Sequence, residues 1–555
     1  MIRSIFLLLL AMGSAIAQDA ARNVQKQVDA VFAKWDSAVS PGCALSVIKD
    51  GQIIYKRGYG VADLDHDVPI QPNTVFHVAS VSKQFTAMAI LLLVQAGKLS
   101  PDDDVRKYIP EVPDFGARIT IRNLIYHTSG LRDQWDLLNL AGWRYSLDLI
   151  TDDDVLGLIA RQKELNFQPG EKQLYSNTGY TLLGLIVKRV SGQSLREFTT
   201  ERIFRPLGMS STHFRDDHAE IVKHMAYGYV EGPAGKGYRL SVTNFDTVGP
   251  TSLLTTVEDL ALWDENFYHP RVGGAAVVGQ QLERGRLNNG KELNYAFGLV
   301  PDTYRGLPTV HHGGTDAGYR AELLRFPEQH FSVACLCNDR AIFPVELARK
   351  VADIYLAGQF HDSAEANPAS SASAVAVPLP TLTEYAGLYW DQEDLQVHRA
   401  VLRNGKLFVA GLELTPLTES RFRLAIDASE TYTFEKSADG THWRMTIEDS
   451  GDQPEVYEQT AAFHPSPNQL AGYAGSYASE EIDPVYRIAV EDGGLVLWRL
   501  KESQQKLRPI VVDYFQGLDT LGGVIHFERD AAGKVTGFVV DSDGVSHFRF
   551  AKKPM

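Results

Sequence analysis

Two stretches in the C-terminal third of the chain repeat each other. Residues Tyr385–Tyr389 read YAGLY, and 88 residues later Tyr473–Tyr477 read YAGSY. Around each stretch, short runs of alternating apolar residues are separated by glycine-containing turns, which is the pattern of antiparallel strands. A unit of roughly 85 residues fits a small closed barrel, in which no strand edge is left unpaired. The repeat therefore predicts two lipocalin-like antiparallel β-barrels, at residues 381–463 and 464–555.

The sequence before these repeats has a different organisation. Residues 361–380 are rich in alanine, serine and proline without apolar periodicity, and we expect them to be a linker. Residues 18–360 begin with two strand-like runs, Cys43–Lys49 and Ile53–Gly58, and strand-like sequence returns at Phe331–Cys337. Helical and loop-rich sequence lies between them. Strands at both ends with helices between them predict one α+β domain, in which a sheet packs against helices.

The first 17 residues have the features of a secretory signal. Arg3 supplies a positive charge, Ile5–Met12 an apolar segment, and Ala15-Ile16-Ala17 a small-residue cleavage site. We expect removal of residues 1–17 and export of a periplasmic or secreted protein; the alternative is a retained N-terminal anchor. No later run approaches the ~20 apolar residues of a membrane span, so no integral membrane span is expected. The net charge of −15 argues against nucleic acid and anionic membranes as partners.

Three cysteines, Cys43, Cys335 and Cys337, are too few for a disulfide framework. Cys335 and Cys337 alternate along a strand-like run and therefore share one face, and buried free thiols are the default expectation. The sequence contains neither Cys-x-x-Cys nor His-Glu-x-x-His. A metal site therefore has little support.

One pair of residues near the N-terminus points to chemistry. Ser80 and Lys83 stand at the head of the apolar run Gln84–Leu93. If this run is a buried helix, both side chains lie on one side of it, one turn apart. A desolvated lysine has a lowered pKa and can take the serine proton, and N–H groups at a helix N-terminus stabilise a developing oxyanion. The pattern predicts acyl transfer with Ser80 as the nucleophile.

The same spacing occurs twice more, at Ser46–Lys49 and at Ser503–Lys506. The first pair lies in a strand-like run and the second in the C-terminal β region. Ser80 differs from both by its helical context and by two motifs that follow it.

The first of these motifs is Tyr175-Ser176-Asn177. It is the only Tyr-x-Asn in a chain with 23 tyrosines, and it lies on a loop between a turn and an apolar helix. A tyrosine beside a lysine can act as a base, and an asparagine can bridge the lysine and a substrate carbonyl. The alternative is a packed tyrosine next to an ordinary helix start.

The second motif, Val310–Tyr319, carries two histidines before two glycines. Glycine lets a strand edge approach a substrate closely, and a backbone N–H there can donate to an oxyanion. Two registers fit His-x-Gly: His311 with Gly313, and His312 with Gly314. Adjacent histidines in a strand point to opposite faces, which argues against a metal pair. The histidine that is not used is expected to be structural.

Together the three motifs resemble those of the penicillin-recognising serine hydrolases, which include class C β-lactamases, penicillin-binding proteins, D-aminopeptidases and related esterases. The family pattern is S-x-x-K, then Y-x-N, then K-T-G or H-x-G. Here the order is kept, with 95 residues from Ser80 to Tyr175 and 137 from Tyr175 to His312. The resemblance covers nearly all of residues 35–345 and implies a β-lactamase/transpeptidase-like α+β fold with an antiparallel sheet. Further stretches that resemble the family are Ile119–Leu124, His127–Leu131, Pro206–Met209 and Thr255–Leu260.

The resemblance implies a role for each residue of the first two motifs. Ser80 is the nucleophile, and Lys83 and Tyr175 share the duties of general base and general acid. Asn177 positions the substrate amide. These roles need no metal and no cofactor.

For the third motif, the register with His312 resembles the family best. It places Gly314 at the substrate and makes the N–H of Thr315 the second oxyanion donor, beside the N–H of Ser80. The departure from Lys-Thr-Gly matters, because that lysine attracts a free carboxylate of the substrate and an imidazole does so weakly at neutral pH. The carboxypeptidase and β-lactamase activities are therefore less favoured.

We expect an exported serine hydrolase that forms an acyl-enzyme with small amides or peptides, similar to D-aminopeptidase, in which two barrels also follow the catalytic domain. The substrate is a small molecule or a peptide, and the oligomeric state is not predicted. One alternative is an esterase of the same fold on short acyl esters, and another is a weak β-lactamase or D,D-carboxypeptidase. A non-enzyme alternative is a binding protein with an inactive hydrolase domain.

The resemblance bears on the cysteines as well. In the family's sheet, the first strand, which carries Cys43, lies beside the last strand, which carries Cys335 and Cys337. Adjacent strands bring Cα atoms within disulfide range. A disulfide from Cys43 to either of the other two is therefore an alternative to three free thiols.

Overall fold

The computed structural model describes residues 22–361, 375–392, 395–424, 430–448, 454–499, 504–517 and 523–554. Described residues form two compact units. The first unit comprises residues 22–131, 145–160 and 167–361. The second comprises residues 132–144 and 161–166 together with the described residues from 375 onward. The predicted signal at residues 1–17, most of the predicted linker and Ser503 lie outside the described residues.

The strands of the first unit occur at both ends of its sequence and, as short strands, between them. They are β1 (Cys43–Lys49), β2 (Gln52–Tyr59), β3 (Val61–Asp63), β4 (Val68–Pro69), β5 (Phe76–His77), β6 (His213–Phe214), β7 (Tyr229–Glu231), β8 (Tyr238–Leu240), β9 (Leu253–Thr255), β10 (Val300–Tyr304), β11 (Leu307–Asp316), β12 (Tyr319–Phe326) and β13 (Phe331–Cys337).

The helices that precede residue 361 lie mostly between β5 and β10. They are α1 (residues 22–32), α2 (Lys83–Gln95), α3 (Ile121–Ile125), α4 (Gln134–Leu140), α5 (Asp152–Ile159), α6 (Asn177–Ser191), α7 (Leu195–Thr199), α8 (Arg205–Leu207), α9 (Val257–Glu265), α10 (Gly274–Gln281) and α11 (Pro344–Tyr355). Helix α4 belongs to the second unit.

The main sheet of the first unit has the strand order β10-β11-β12-β13-β1-β2, and its neighbouring strands are antiparallel. The first strand of the chain, β1, is thus an inner strand of this sheet, between β13 and the edge strand β2. One face of the sheet packs on α1 and α11, where Phe32 and Val351 join Val47 and Val333 in one buried cluster. The predicted run Cys43–Lys49 is the observed β1.

The sheet register places two of the cysteines side by side. Cys43 of β1 is opposite Cys337 of β13, and their sulfurs form a disulfide. Cys335 remains a free thiol in the same cluster, with its sulfur 3.6 Å from that of Cys337. The default expectation of free thiols is therefore wrong for Cys43 and Cys337, because the sheet order brings together two strands that are distant in sequence.

The second unit contains two closed eight-stranded antiparallel barrels, and a short helix precedes each. The first barrel follows α12 (Leu379–Tyr385) and consists of β14 (Gly387–Asp391), β15 (Gln396–Arg403), β16 (Lys406–Val409), β17 (Leu412–Pro416), β18 (Arg421–Leu424), β19 (Thr431–Lys436), β20 (Trp443–Glu448) and β21 (Glu455–Thr460). The second follows α13 (Pro467–Tyr473) and consists of β22 (Gly475–Ala478), β23 (Val485–Glu491), β24 (Gly494–Trp498), β25 (Gln505–Pro509), β26 (Tyr514–Gly517), β27 (Val524–Arg529), β28 (Val535–Ser542) and β29 (Val545–Lys552).

The repeated tyrosines have the same place in both barrels. Tyr385 ends α12 and stacks on Phe434 with ring centroids 4.6 Å apart. Tyr473 ends α13, and its ring centroid also lies 4.6 Å from that of Phe527. The core of the first barrel is filled with apolar and aromatic side chains. The predicted fold class, an α+β domain followed by two β-barrels, is confirmed, and the exact domain boundaries stay predictions.

Two short segments from within the predicted hydrolase domain belong to the second unit. Arg132, whose side chain is fully buried, pairs with Glu481 at 2.7 Å and donates to the carbonyl of Ser546 at 2.9 Å. The side-chain amide of Asn166 donates to the carbonyl of Gly544 at 3.0 Å.

Within the described ranges, no helix has both the length and the apolar content that crossing a bilayer requires.

Candidate active site

The turn that precedes α2 carries the candidate nucleophile. Ser80 lies in a 3-10 turn at Ala79–Ser82, and Lys83 is the first residue of α2. Ala79 has φ +47°, a left-handed conformation that is uncommon for a residue with a side chain. Ser80 is half-buried, whereas Lys83 is 0% exposed. The apolar run makes α2 a helix buried on nearly all sides, with Lys83 at its N-terminus and Ser80 in the turn before it.

The ammonium nitrogen of Lys83 contacts three uncharged oxygens. It lies 3.0 Å from Ser80 Oγ, 2.9 Å from Asn177 Oδ1 and 2.9 Å from the carbonyl oxygen of Pro250. This geometry links the first two motifs directly. A lysine that loses its proton in this position can accept the proton of the serine hydroxyl.

The second motif lies at the start of α6. The apolar helix expected after the second motif is α6, which begins at Asn177, and Tyr175 lies on the loop before it. The ring centroid of Tyr175 is 4.7 Å from Lys83 Nζ, and 42% of the Tyr175 surface is exposed. The structure therefore brings Tyr175 and Asn177 to Ser80 and Lys83, as the resemblance implies.

The third motif reaches the same turn through Gly314 of β11. A Cβ atom at Gly314 would overlap the carbonyl oxygen of Val78 and lie 3.2 Å from the Cβ of Ala79. Only glycine at this position allows β11 to lie so close to the turn that carries Ser80. Thr315, which follows Gly314 on β11, is exposed.

His312 lies on β11 itself and is buried, and both of its ring nitrogens have partners. Nδ1 lies 2.7 Å from the carbonyl oxygen of Gly313, which can only accept, so Nδ1 carries the proton. Nε2 then accepts from the hydroxyl of Tyr295 at 3.1 Å. Burial and the nearby charge of Lys83 lower the pKa of His312 to about 3. His312 is therefore a neutral imidazole with both nitrogens engaged.

His311 points to the opposite face of β11. Its Nδ1 lies 3.0 Å from Oε1 of Glu322, whose side chain is fully buried. Burial lowers the pKa of His311, but the charge of Glu322 more than offsets this, and the net pKa lies above the ordinary value. His311 thus has a structural partner away from the other motifs.

The second Ser-x-x-Lys pair does not form a comparable arrangement. Ser46 is buried in β1, where its hydroxyl donates to the carbonyl of Val257 at 3.0 Å. Lys49 donates to the carbonyl of Gln329 at 2.6 Å. Residues three apart in a strand point to opposite faces, so this pair cannot share a proton as Ser80 and Lys83 can.

A buried polar network centred on Asp316, which the sequence did not predict, adjoins these motifs. One carboxylate oxygen accepts from the hydroxyl of Tyr145 and the other from the hydroxyl of Thr251, both at 2.6 Å. Nε2 of His77 lies 3.6 Å from Asp316 and 3.3 Å from Thr251 Oγ1. Burial lowers the pKa of His77, which favours the neutral ring.

Three members of this network, His77, Thr251 and Asp316, adjoin backbone segments of the site. Nδ1 of His77 accepts from the N–H of Ala79, the residue before the serine, at 3.3 Å. Thr251 follows Pro250, whose carbonyl accepts from the lysine. Asp316 itself follows Thr315. Its adjacency to the third motif was the only sequence signal of this network.

Possible metal ligands occur in two groups of the described residues. One consists of the three cysteines, two of which form the disulfide, and the other is Asp217, His218 and Asp246. Neither group contains a residue of the three motifs.

Comparisons with known proteins concern the family and the fold of the chain. The Beta-lactamase family model matches residues 21–356. A penicillin-binding protein of Bacillus subtilis is 31% identical over 417 residues, which are 70% of this chain and 89% of that protein. A D-aminopeptidase of Cereibacter sphaeroides is 29% identical over 301 residues, 54% of this chain and 57% of that protein.

Among solved structures, the fold resembles the D-amino acid amidase of Ochrobactrum anthropi SV3, with a TM-score of 0.51 and 22% identity. The match covers 61% of this chain and 99% of the amidase. The motif order, the fold and the family match lead to one conclusion. The chain belongs to the beta-lactamase family and is a serine hydrolase of that fold.

Proposed function

We propose that the protein is an exported hydrolase that cleaves small amides or peptides through an acyl-enzyme on Ser80, in the manner of a D-aminopeptidase. The observation that carries the proposal is the contact of Lys83 Nζ with Ser80 Oγ at 3.0 Å and with Asn177 Oδ1 at 2.9 Å. The candidate nucleophile, the candidate base and the candidate amide-binding group thus share one hydrogen-bonded cluster, which supports the proposal.

In the proposed reaction, Ser80 Oγ attacks the substrate carbonyl carbon while its proton passes to Lys83, with Tyr175 as the second acid–base group. The N–H groups of Ser80 and Thr315 hold the oxyanion. The leaving amine takes a proton from the same pair of side chains, and the acyl group stays on Ser80. Water then attacks the ester. Lys83 and Tyr175 take a proton from this water and return a proton to Ser80 Oγ as the acyl group leaves.

The state of His312 supports a substrate without a carboxylate next to the scissile bond. A neutral imidazole with both nitrogens engaged offers no positive charge and no N–H to such a group. This argues against D,D-carboxypeptidase and β-lactamase activity and for amides or esters. The names of the matched D-aminopeptidase and D-amino acid amidase support the choice of amides with a D-residue.

Two alternative functions differ in their support. An esterase would use the same residues. They would suffice for an ester, because its leaving group requires less protonation than that of an amide. A binding protein with ligand-holding barrels has less support, because the core of the first barrel is packed with its own side chains.

A substrate panel tests the proposal. The p-nitroanilides of D- and L-amino acids are assayed beside p-nitrophenyl esters, with Ser80→Ala as the inactive control. Hydrolysis of D-anilides at a higher kcat/KM than L-anilides is the expected result. Activity on esters alone would support the esterase, and no reaction with any substrate or with a fluorophosphonate probe would contradict both.

We also propose export to the periplasm or the medium. The signal-like sequence of residues 1–17 and the Cys43–Cys337 disulfide support it, because disulfides persist mainly in oxidising compartments. Intact-mass measurement of protein from cell fractions tests this. We expect a mature chain that begins near Gln18, and an unprocessed chain in the cytoplasm would contradict the proposal.

A further inference from the structure

His127 holds the backbone on both sides of Tyr175. It lies in the turn after α3, is 2% exposed and has φ +57°. Its carbonyl accepts from the N–H of Leu174 at 2.9 Å. Its Nδ1 accepts from the N–H of Ser176 at 3.1 Å and lies equally far from the carbonyl oxygen of Ser176. Nδ1 thus contacts this peptide segment in either tautomer.

The imidazole ring also packs against the aromatic side chains of the site. Its centroid is 4.3 Å from that of Tyr175 and 4.7 Å from that of Tyr295, whose hydroxyl is the partner of His312. Burial and the nearby Lys83 and His312 together lower the pKa of His127 far below its ordinary value, which favours the neutral ring.

The two ring nitrogens of His127 differ sharply in their surroundings. Nδ1 has the contacts to Ser176, whereas Nε2 is buried without a hydrogen-bond partner in the described part of the chain. Buried polar atoms nearly always have partners. Within the described residues, Nδ1 is therefore the ring nitrogen through which His127 can hold the segment around Tyr175.

We propose that His127 is a positioning residue for Tyr175 and acts through its Nδ1 contact with Ser176. The inference rests on the proposed function, in which Tyr175 transfers protons at Ser80. Tyr175 has much of its surface exposed, so packing alone restrains its ring less than that of a buried tyrosine. Fixing Leu174 and Ser176 orients Tyr175 through its own backbone.

Two substitutions of His127 separate the nitrogens. In His127→Asn the side-chain amide lies near the position of Nδ1 and can pair with Ser176, and asparagine tolerates the left-handed backbone. In His127→Gln the amide lies near the position of Nε2, and the Nδ1 contact is lost. We expect His127→Asn to keep kcat within about 5-fold of wild type, and His127→Gln to lose about 10-fold or more with little change in KM.

The matched control is His224, an exposed histidine that also has a positive φ, of +59°. His224→Gln imposes the same backbone cost away from the motifs, and we expect unchanged kcat. All rates are divided by the concentration of folded enzyme, measured by circular dichroism. Partial misfolding of a variant then does not imitate a loss of catalysis.

The labelling of Ser80 by a fluorophosphonate separates failure of this inference from failure of the proposed function. An unlabelled and inactive wild type would contradict the proposed function. A labelled wild type with equal kcat in the two His127 variants, or with a larger loss in His127→Asn, would overturn the positioning role. If His127→Gln does not fold, His127→Asn decides alone, because a 10-fold loss in that variant would also overturn it.

Discussion

Replacing Cys43 and Cys337 together by alanine removes the covalent link between β1 and β13, two neighbouring strands of the main sheet. The two residues are separated by 294 positions, so the link closes a loop that contains most of the first unit. In the unfolded chain, closing a loop of this length excludes many conformations that the chain without the cross-link can adopt. The disulfide therefore stabilises the fold chiefly by lowering the entropy of the unfolded state.

The size of the effect follows from the loop length. The chain-entropy relation gives about 5.7 kcal/mol at 25 °C for this loop. Measured values for disulfides are smaller and usually lie near 2–4 kcal/mol, because unfolded chains keep residual structure. We expect the double alanine variant to lose about 2–5 kcal/mol of unfolding free energy in the first unit.

The third cysteine provides the matched control. Cys335 is buried in the same cluster and has a free thiol, so Cys335→Ala removes a similar atom without removing a link. Burial raises the pKa of this thiol, which disfavours its thiolate and makes disulfide exchange slow. The difference between the double variant and Cys335→Ala then measures the cross-link itself.

Loss of esterase or amidase activity in increasing urea reports unfolding of the first unit, because that unit holds the candidate site. Thiol titration of unfolded, unreduced wild type should find one free thiol. Equal urea midpoints for the double variant and Cys335→Ala, or three free thiols in wild type, would refute the reasoning.

Three further predictions concern the candidate site. Ser80→Ala should abolish turnover and the acyl adduct seen by intact-mass spectrometry, whereas Ser46→Ala should keep both. Lys83→Arg should be nearly as inactive as Lys83→Ala in the same assay, because arginine cannot give up its proton; substantial activity would show that only a positive charge is required. His312→Ala should lower kcat/KM about 10-fold or more. His311→Ala should mainly lower the free energy of unfolding, by about 3–5 kcal/mol in urea, because the carboxylate of Glu322 would stay buried without its histidine partner. Equal small effects of both on kcat/KM would leave the third motif without a side-chain role.

The parts of the fold that depend on local pattern could be predicted from the sequence. The repeat at Tyr385 and Tyr473 predicts both barrels, and the apolar run Cys43–Lys49 is the observed β1. The start of α6 could not be located from periodicity, because its first turn contains the polar Asn177 and Thr178. That turn is helical because of its contacts with the site and with buried neighbours. The spacing of apolar residues along the sequence carries no information about such contacts.

The parts that depend on sheet order and long-range contacts could not be read from the residues alone. The disulfide requires β1 to lie beside β13, and only the family resemblance suggested that arrangement. Nothing in the local sequence shows that Asp316 is buried with two hydroxyl donors, since aspartate is usually exposed. The same holds for Tyr295, whose contact with His312 joins residues of different segments.

The third motif shows why residue identity alone does not determine substrate preference. A histidine in place of lysine suggests a weaker attraction for a carboxylate, because an imidazole is only partly charged at neutral pH. The structure makes the difference larger, since Tyr295 and Gly313 occupy both nitrogens of His312 and burial keeps the ring neutral. If this explanation holds, Tyr295→Phe frees one nitrogen of His312 without adding a charge. Affinity for substrates with a free carboxylate should then stay low, and a marked gain in that affinity would show that the tyrosine, and not the neutral ring, excludes them.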